Sequence, residues 1–346
     1  MHVQHDYARL LALQGDLDFR SVASPALEGN ALGDPSKRPV ITYLPPGYDP
    51  HGSKAYPVIY CLPGYSGSVA GLIGTSSWNL NVVQRIDRLI ARKTMPPVLL
   101  VLVDGWTRLG GSQYVDSIHN GAYATYIVRD LIAFVDATFR TIAQCGGRSV
   151  VGKSSGGFGA IHLAMEHRGF FSAFASHSGD SYFRYNHPTA FAAAHRTLER
   201  FHWEIEAFVQ YFEGLHKPSG PEFSTMEMLA YAAAYSPRSA APFDLSLPFD
   251  RLTGAVDEPV FAQWLRFDPI ERVSQRQGEL HDLRLRYLDC GRRDEYGLDV
   301  GARVLAKTLR DYGCDVHHEE FDDDHRNLGY RYEVSLPLLA NVMDHS

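Results

Sequence analysis

Short apolar runs rich in β-branched residues alternate along this chain with longer segments of helical period. This alternation is typical of a mostly parallel sheet covered by helices, so the sequence predicts an α/β fold. The runs in the middle of the chain are apolar throughout, as expected of central strands that are buried on both faces. The predicted strands are residues 39–44, 56–62, 97–103, 148–152, 171–176, 283–288 and 315–321.

Two segments between these runs predict amphipathic helices. Residues 123–140 carry Ile127, Leu131 and Val135 at four-residue spacing, which places one apolar stripe on a helix. Residues 298–312 repeat this pattern, and Gly313 follows where a glycine commonly ends a helix.

The alternation is interrupted at residues 181–282, which are rich in helical patterns. Residues 188–216 predict one long helix, Ser224 to Glu227 predicts a capping box that opens another, and Asp268 begins a third. We expect this segment to be a helical cap over one end of the sheet, whose core is formed by residues 1–180 and 283–346. The alternative is a helical layer that only enlarges the core.

Composition narrows the classes of protein that fit. The 346 residues are 45% hydrophobic and 21% charged, as in a globular protein with a sizeable core, and the formal net charge of -7 gives no electrostatic basis for binding nucleic acid. No run approaches the roughly 20 apolar residues that span a bilayer, and the N-terminus lacks an export pattern, so we expect a cytoplasmic protein without a membrane partner. Cys61, Cys145, Cys290 and Cys314 are far apart and are expected to be buried free thiols.

One motif suggests nucleophilic catalysis. The pattern G-x-S-x-G occurs at Gly152 to Gly156, between the predicted strand 148–152 and a predicted helix at residues 158–166. A serine in such a sharp strand-to-helix turn needs small neighbours, because a Cβ two residues away would collide with the turn. We therefore predict that Ser154 is a nucleophile.

A serine nucleophile requires a histidine base and an orienting acid, and both follow predicted strands. Asp294 lies in the loop after residues 283–288, with Glu295 as the alternative and Asp289 as a structural carboxylate at the strand end. His325 follows the last strand and is the predicted base. The alternative for residues 322–325 is an acidic turn or an isolated metal site.

Two backbone amides are expected to stabilise a developing oxyanion. One belongs to Ser155, directly after the nucleophile, and the other to Tyr65, in the glycine-rich loop after residues 56–62. Trp106 and Tyr114 are expected near the substrate as aromatic walls, whereas Trp264 is expected to pack the cap onto the core.

These residues and their surroundings resemble the esterase D or "putative esterase" family, which includes S-formylglutathione hydrolases, feruloyl esterases, enterochelin-type esterases and mycolyltransferases. The resemblance rests on RPVITYLPPGY (38–48), YPVIYCLPGYSG (56–67), YVDS (114–117), the Ser154 turn and the loops around Asp294 and His325. It implies an α/β-hydrolase fold with Ser154, Asp294 and His325 as a catalytic triad and the Tyr65 and Ser155 amides as the oxyanion hole.

The leading expectation is a serine esterase that cleaves a carboxylic, thio- or aromatic ester through an acyl-enzyme on Ser154. Its partner is then a small-molecule ester, with no metal or organic cofactor, and homo-oligomerisation is left open. The alternatives are acyl transfer by the same triad and a catalytically silent α/β-hydrolase that serves as a binding module.

Overall fold

A computed structural model describes residues 11–345 of the chain. Within this range, eight strands form one sheet in the order β1-β2-β4-β3-β7-β8-β9-β10, and β5 and β6 form a separate hairpin. The strands are β1 (Asp16–Ala23), β2 (Lys37–Leu44), β3 (Val58–Leu62), β4 (Leu99–Leu102), β5 (Asp116–Ser117), β6 (Gly121–Ala122), β7 (Arg148–Lys153), β8 (Ala173–His177), β9 (Leu285–Gly291) and β10 (His317–Phe321).

The helices cover this sheet and fill the gap between β8 and β9. They are α1 (Val69–Leu72), α2 (Val82–Ala91), α3 (Tyr123–Thr125), α4 (Ile132–Thr138), α5 (Ser155–Glu166), α6 (Phe183–Asn186), α7 (Pro188–Glu199), α8 (Ile205–Glu213), α9 (Gly220–Tyr235), α10 (Glu258–Leu265), α11 (Pro269–Val273), α12 (Gln277–Asp282), α13 (Leu298–Asp311) and α14 (Tyr332–Val342). A π-helical segment, Tyr126–Leu131, joins α3 to α4, and Pro25–Leu27, Cys145–Gly147 and Leu328–Arg331 are 3-10 turns.

All seven predicted strands are confirmed, and six neighbouring strands from β4 to β10 run parallel. Side chains alternate between the two faces of a strand. In β3, Val58 and Tyr60 therefore lie on the face of the sheet that α4 covers. Ile59 and Cys61 lie on the opposite face, which α2 and α14 cover. The α/β prediction is therefore confirmed. Strand β1, which the sequence analysis missed, pairs antiparallel with β2 at the sheet edge, where its partly exposed residues obscure the apolar pattern.

The helices at residues 181–282 differ in detail from the prediction. The single helix expected over residues 188–216 is two helices, α7 and α8, because His202 and Trp203 adopt positive φ between them. The capping box that opens α9 is formed by Ser219 and Glu222, so the proposed start at Ser224 was wrong and lies inside the helix. Asp268 does cap α11, as predicted.

The turn between β7 and α5 depends on close backbone approaches. A Cβ on Gly156 would lie 2.2 Å from the Leu62 carbonyl oxygen, and one on Gly152 would lie 2.2 Å from the Gly156 carbonyl oxygen. Only glycine fits at these positions without moving β3 or the turn itself. The motif therefore brings the residue after β7 close to the loop after β3.

Asp289, at the end of β9, is fully buried in a polar network beneath the sheet edge. Its carboxylate accepts hydrogen bonds from His177 Nδ1 at 2.7 Å, from Arg331 Nε at 2.7 Å and from the Tyr287 hydroxyl at 2.9 Å. Burial raises the pKa of Asp289, but His177 and Arg331 outweigh that effect and leave the pKa below its usual value. The structural interpretation of Asp289 fits these contacts.

Replacing Gly156 by alanine should destabilise the fold, since the new methyl group meets backbone oxygens that cannot rotate away. We expect the free energy of unfolding, measured by urea denaturation, to fall by about 1–3 kcal/mol. Gly278→Ala is the matched control because nothing lies within 4 Å of its Cβ position in α12. Equal stability of both variants would contradict this account of the turn.

Asp289→Asn should also destabilise the protein, because it leaves the buried Arg331 guanidinium without its full countercharge. We expect a loss of about 3 kcal/mol in urea denaturation. Asp311→Asn removes an exposed carboxylate that pairs with Lys307 on α13, so its effect should stay below about 1 kcal/mol. A loss at Asp289 as small as that at Asp311 would rule out a major structural role for the network.

Candidate active site

Five neighbouring parallel strands, β3, β7, β8, β9 and β10, end at the same edge of the sheet. Tyr65, Ser154, Asp294 and His325 all lie in segments that follow these carboxyl ends. Because parallel strands share one polarity, these loops meet although their residues are far apart in sequence. The described residues therefore bring the predicted triad residues together.

Ser154 occupies the sharp turn between β7 and α5. Its φ of 57° and ψ of -127° lie in a region that L-residues rarely adopt, and its amide donates to the His177 carbonyl at 2.9 Å. Such strain persists only where the surroundings hold it in place, which the approaches of Gly152 and Gly156 do. The turn leaves Ser154 Oγ facing the loop that carries His325.

The imidazole of His325 lies between Ser154 and Asp294. Its Nε2 is 3.0 Å from Ser154 Oγ, and its Nδ1 is 2.7 Å from Asp294 Oδ2. The ring is largely buried and packs edge-on against Tyr296 at 4.8 Å between centroids. One ring nitrogen thus faces the serine while the carboxylate holds the other. His317 and His318 lie upstream on β10 and take no part in these contacts.

Asp294 and Glu295 both contact His325, but in different ways. The Asp294 carboxylate also accepts from the Tyr296 amide at 3.0 Å, whereas Glu295 accepts from the backbone amide of His325 at 3.0 Å. Burial raises the pKa of Asp294, but the hydrogen bond and charge of His325, together with the backbone amides, bring the pKa below its usual value. Asp294, and not Glu295, is therefore the carboxylate that meets the imidazole ring.

The loop after β3 lies directly against the Ser154 turn. A Cβ on Gly64 would lie 3.3 Å from Ser154 Cβ, which shows how closely this loop approaches the serine. The Tyr65 side chain holds the loop in place, since its hydroxyl donates to the Leu109 carbonyl at 2.9 Å and its ring packs edge-on against Phe223. Ser155 begins α5 on the other side of Ser154.

A cavity of about 280 Å³ opens beside Ser154 and His325. One side is formed by the sheet-edge loops and the other by helices from residues 181–282, including α7 and α9. Six Phe, Tyr and Trp side chains contribute to the lining, namely Tyr65, Phe191, Phe223, Tyr231, Trp264 and Tyr296. The helical segment therefore contributes directly to the space beside the serine, although its division from the core at residues 181 and 282 stays a prediction.

The structure does not bring the two proposed aromatic contacts, Trp106 and Tyr114, into this cavity. Trp106 follows β4, and β3 separates β4 from β7 in the sheet. Trp106 is also 41% exposed. Tyr114 is buried beneath the loop after β3, where its hydroxyl donates to the Pro63 carbonyl. Trp264 is fully buried and donates to Ser236 Oγ at 2.7 Å, as expected of a packing residue, but it also lines the cavity.

Three charged residues in the lining were missed by the sequence analysis. Asp180 lies three residues after β8, Lys153 is the last residue of β7, and Glu227 is on α9. Asp180 could have been found, because it follows a parallel strand in the same way as Asp294. Glu227 carries no such signal, since its place depends on how α9 packs.

Two further observations concern ligands and membranes. No group of three or more His, Cys, Asp or Glu side chains within residues 11–345 could hold a metal ion. In the same part of the chain, no helix combines the length and the apolar character that a membrane span requires.

Comparison with known proteins gives a consistent picture. The putative esterase family profile matches residues 30–334. Esterase MT1326 of Mycobacterium tuberculosis is 35% identical over 92 residues, which are 25% of this chain and 20% of that protein, so the match spans about a fifth of that relative.

Two solved structures share the fold over nearly the whole chain. A ferulic acid esterase superposes with a TM-score of 0.59 at 17% identity and covers 96% of this chain and 100% of its own. FphF, a fluorophosphonate-binding serine hydrolase of Staphylococcus aureus, superposes with a TM-score of 0.59 at 15% identity, covering 95% and 99%. At these identities, the likeness establishes the α/β-hydrolase fold.

The family match extends across β2 to β10 and includes every loop that meets at the sheet edge. The chain belongs to the putative esterase family and has an α/β-hydrolase fold.

Proposed function

We propose that the protein hydrolyses carboxylic esters through an acyl-enzyme formed on Ser154. The observation that carries this proposal is the chain of contacts from Ser154 Oγ to His325 Nε2 at 3.0 Å and from His325 Nδ1 to Asp294 Oδ2 at 2.7 Å. These distances are within the hydrogen-bonding reach that proton transfer needs.

Asp294 determines which nitrogen of His325 acts as the base. A carboxylate whose pKa is held below its usual value stays ionised at neutral pH and accepts a hydrogen bond from the protonated Nδ1. Nε2 then carries the lone pair that faces Ser154. Asp294 also stabilises the imidazolium that forms when His325 takes a proton.

In the first step, Ser154 Oγ bonds to the ester carbonyl carbon while its proton passes to His325 Nε2. The tetrahedral intermediate expels the alcohol, which leaves with that proton. In the second step, water gives a proton to His325 and its oxygen attacks the acyl carbon. Collapse of the second intermediate returns the proton to Ser154 and releases the acid.

The negative charge on the carbonyl oxygen needs donors during both steps. We propose the backbone amides of Tyr65 and Ser155 for this role. Support comes from the close approach of the Gly64 loop to Ser154 and from the position of Ser155 at the start of the 12-residue helix α5. Amides at a helix N-terminus attract negative charge, so the Ser155 amide suits an oxyanion.

Ser154→Ala should abolish ester hydrolysis, because no other group can form the acyl bond. With p-nitrophenyl acetate as the substrate, we expect turnover to fall by at least about 10⁴-fold. Ser274→Ala, at an exposed serine after α11, should retain wild-type activity. A folded Ser154→Ala protein that keeps its activity would refute the proposal.

Asp294→Asn should reduce kcat by about 10³–10⁴-fold while leaving the fold intact, because the amide no longer fixes the tautomer of His325. Asp322→Asn is the matched control, since this acid is exposed at the start of the loop that carries His325. Steady-state kinetics on p-nitrophenyl acetate measure both effects. Similar kcat values for the two variants would assign the orienting role elsewhere, with Glu295 as the next candidate.

A further inference from the structure

The cavity beside Ser154 contains a buried carboxylate, that of Asp180, with one oxygen left unsatisfied. Asp180 is 5% exposed, and its Oδ2 forms no hydrogen bond within the described residues. A second carboxylate, Glu227, lines the same cavity from α9. A carboxylate oxygen without a hydrogen-bond partner is costly to bury, so the position of Asp180 calls for an explanation beyond packing.

The lysine in the lining only partly compensates these two acids. The strongest attractions of Lys153 are to Asp294 and Glu295 on the triad side, and its attraction to Asp180 is weaker. Within residues 11–345, neither Asp180 nor Glu227 forms an ion pair. The side of the cavity formed by Asp180 and Glu227 therefore carries two acidic groups that no ion pair neutralises.

The surroundings of both acids raise their pKa values above the usual range. Burial, with the charges of Glu227 and Asp294, raises the pKa of Asp180 to about 8, and burial raises the pKa of Glu227 to about 7. A cation placed between them would favour their ionised forms. The cavity is thus better matched to a positively charged group than to a second anion.

Two further buried atoms in the lining can accept hydrogen bonds. Asn186 Oδ1 and His187 Nε2 have no hydrogen-bond partner within the described residues, and burial lowers the pKa of His187 to about 3, so its ring is neutral. A neutral imidazole nitrogen accepts a hydrogen bond when the proton is on the other nitrogen. An ammonium group, with its N–H donors, would satisfy such acceptors together with the carboxylates.

Aromatic side chains complete the surroundings. Tyr231 and Trp264 lie beside His187 in the lining, and Phe191 packs against Trp264. The faces of such rings attract cations, most strongly where water is excluded. Acids and aromatic rings together form the usual environment of a bound ammonium group.

We propose that this cavity binds a positively charged amino group carried by the ester substrate, with Asp180 and Glu227 as its carboxylate partners. This inference rests on the proposed function, since it names the class of ester that the Ser154 site accepts. It assigns Asp180 and Glu227 to substrate selection and not to the chemical step.

The test compares matched esters that differ in one group. The first series contains the methyl esters of 4-(aminomethyl)benzoic, 4-(hydroxymethyl)benzoic and 4-methylbenzoic acid. The second contains the acetates of the corresponding benzyl alcohols, so that the amino group is on the alcohol side. In one of the two series, the wild-type enzyme should cleave the aminomethyl ester with a kcat/KM at least about tenfold above that of the methyl analogue. A hydrogen bond to a charged group stabilises binding by enough to give such a ratio.

The same ratio should decline when either acid is neutralised. In Asp180→Asn and Glu227→Gln, we expect the aminomethyl-to-methyl ratio of kcat/KM to fall about tenfold. Glu199→Gln removes an exposed acid from α7 outside the cavity lining and should keep the wild-type ratio. Because the ratio is taken within each protein, a general loss of activity does not imitate the effect.

The inference is overturned if the hydroxymethyl or methyl ester is cleaved as fast as the aminomethyl ester in both series. It is also overturned if the ratio survives in the two variants. Loss of p-nitrophenyl acetate hydrolysis in Ser154→Ala is measured alongside. If that loss is seen while the amino preference is absent, only the inference fails, whereas continued hydrolysis in Ser154→Ala refutes the proposed function itself.

Discussion

The common direction of five adjacent strands is the constraint on which the site depends. Because β3, β7, β8, β9 and β10 are parallel neighbours, their carboxyl ends supply one row of loops along a single sheet edge. Each loop then contributes a residue of different chemistry over a short distance. A slip in the register of any of these strands would separate Ser154 from His325. The geometry of the site therefore depends on the pairing of the strands.

The Ser154 turn converts this general arrangement into a reactive one. Its unusual φ and ψ are enforced by the absence of side chains at Gly152 and Gly156, which lets the turn press against the end of β3. The buried Asp289 network supports the same edge from beneath, through His177 on β8 and Arg331 before α14. Rigid support of this kind keeps the contacts of His325 within hydrogen-bonding distance.

Much of this could be predicted from the sequence because the relevant signals are local. Apolar runs indicate the central strands, and the Gly152 to Gly156 motif indicates the turn, so Ser154, Asp294 and His325 could be placed after strand ends. The break at His202 and Trp203 was missed because both residues adopt positive φ although neither is glycine, the residue that usually signals such a helix end. The cavity lining could not be derived because Glu227 and Trp264 reach it only through the packing of α9 and α10. The cytoplasmic location and any self-association stay predictions.

The central claim is that Ser154 is the nucleophile that forms a covalent acyl-enzyme. Covalent modification tests this claim most directly. The folded protein is treated with a fluorophosphonate, digested, and analysed by peptide mass spectrometry. The account predicts one modification per chain, on Ser154. No modification is expected when Ser154 has been blocked beforehand. Modification of a different residue, or none at all in a folded and ester-hydrolysing protein, would contradict it.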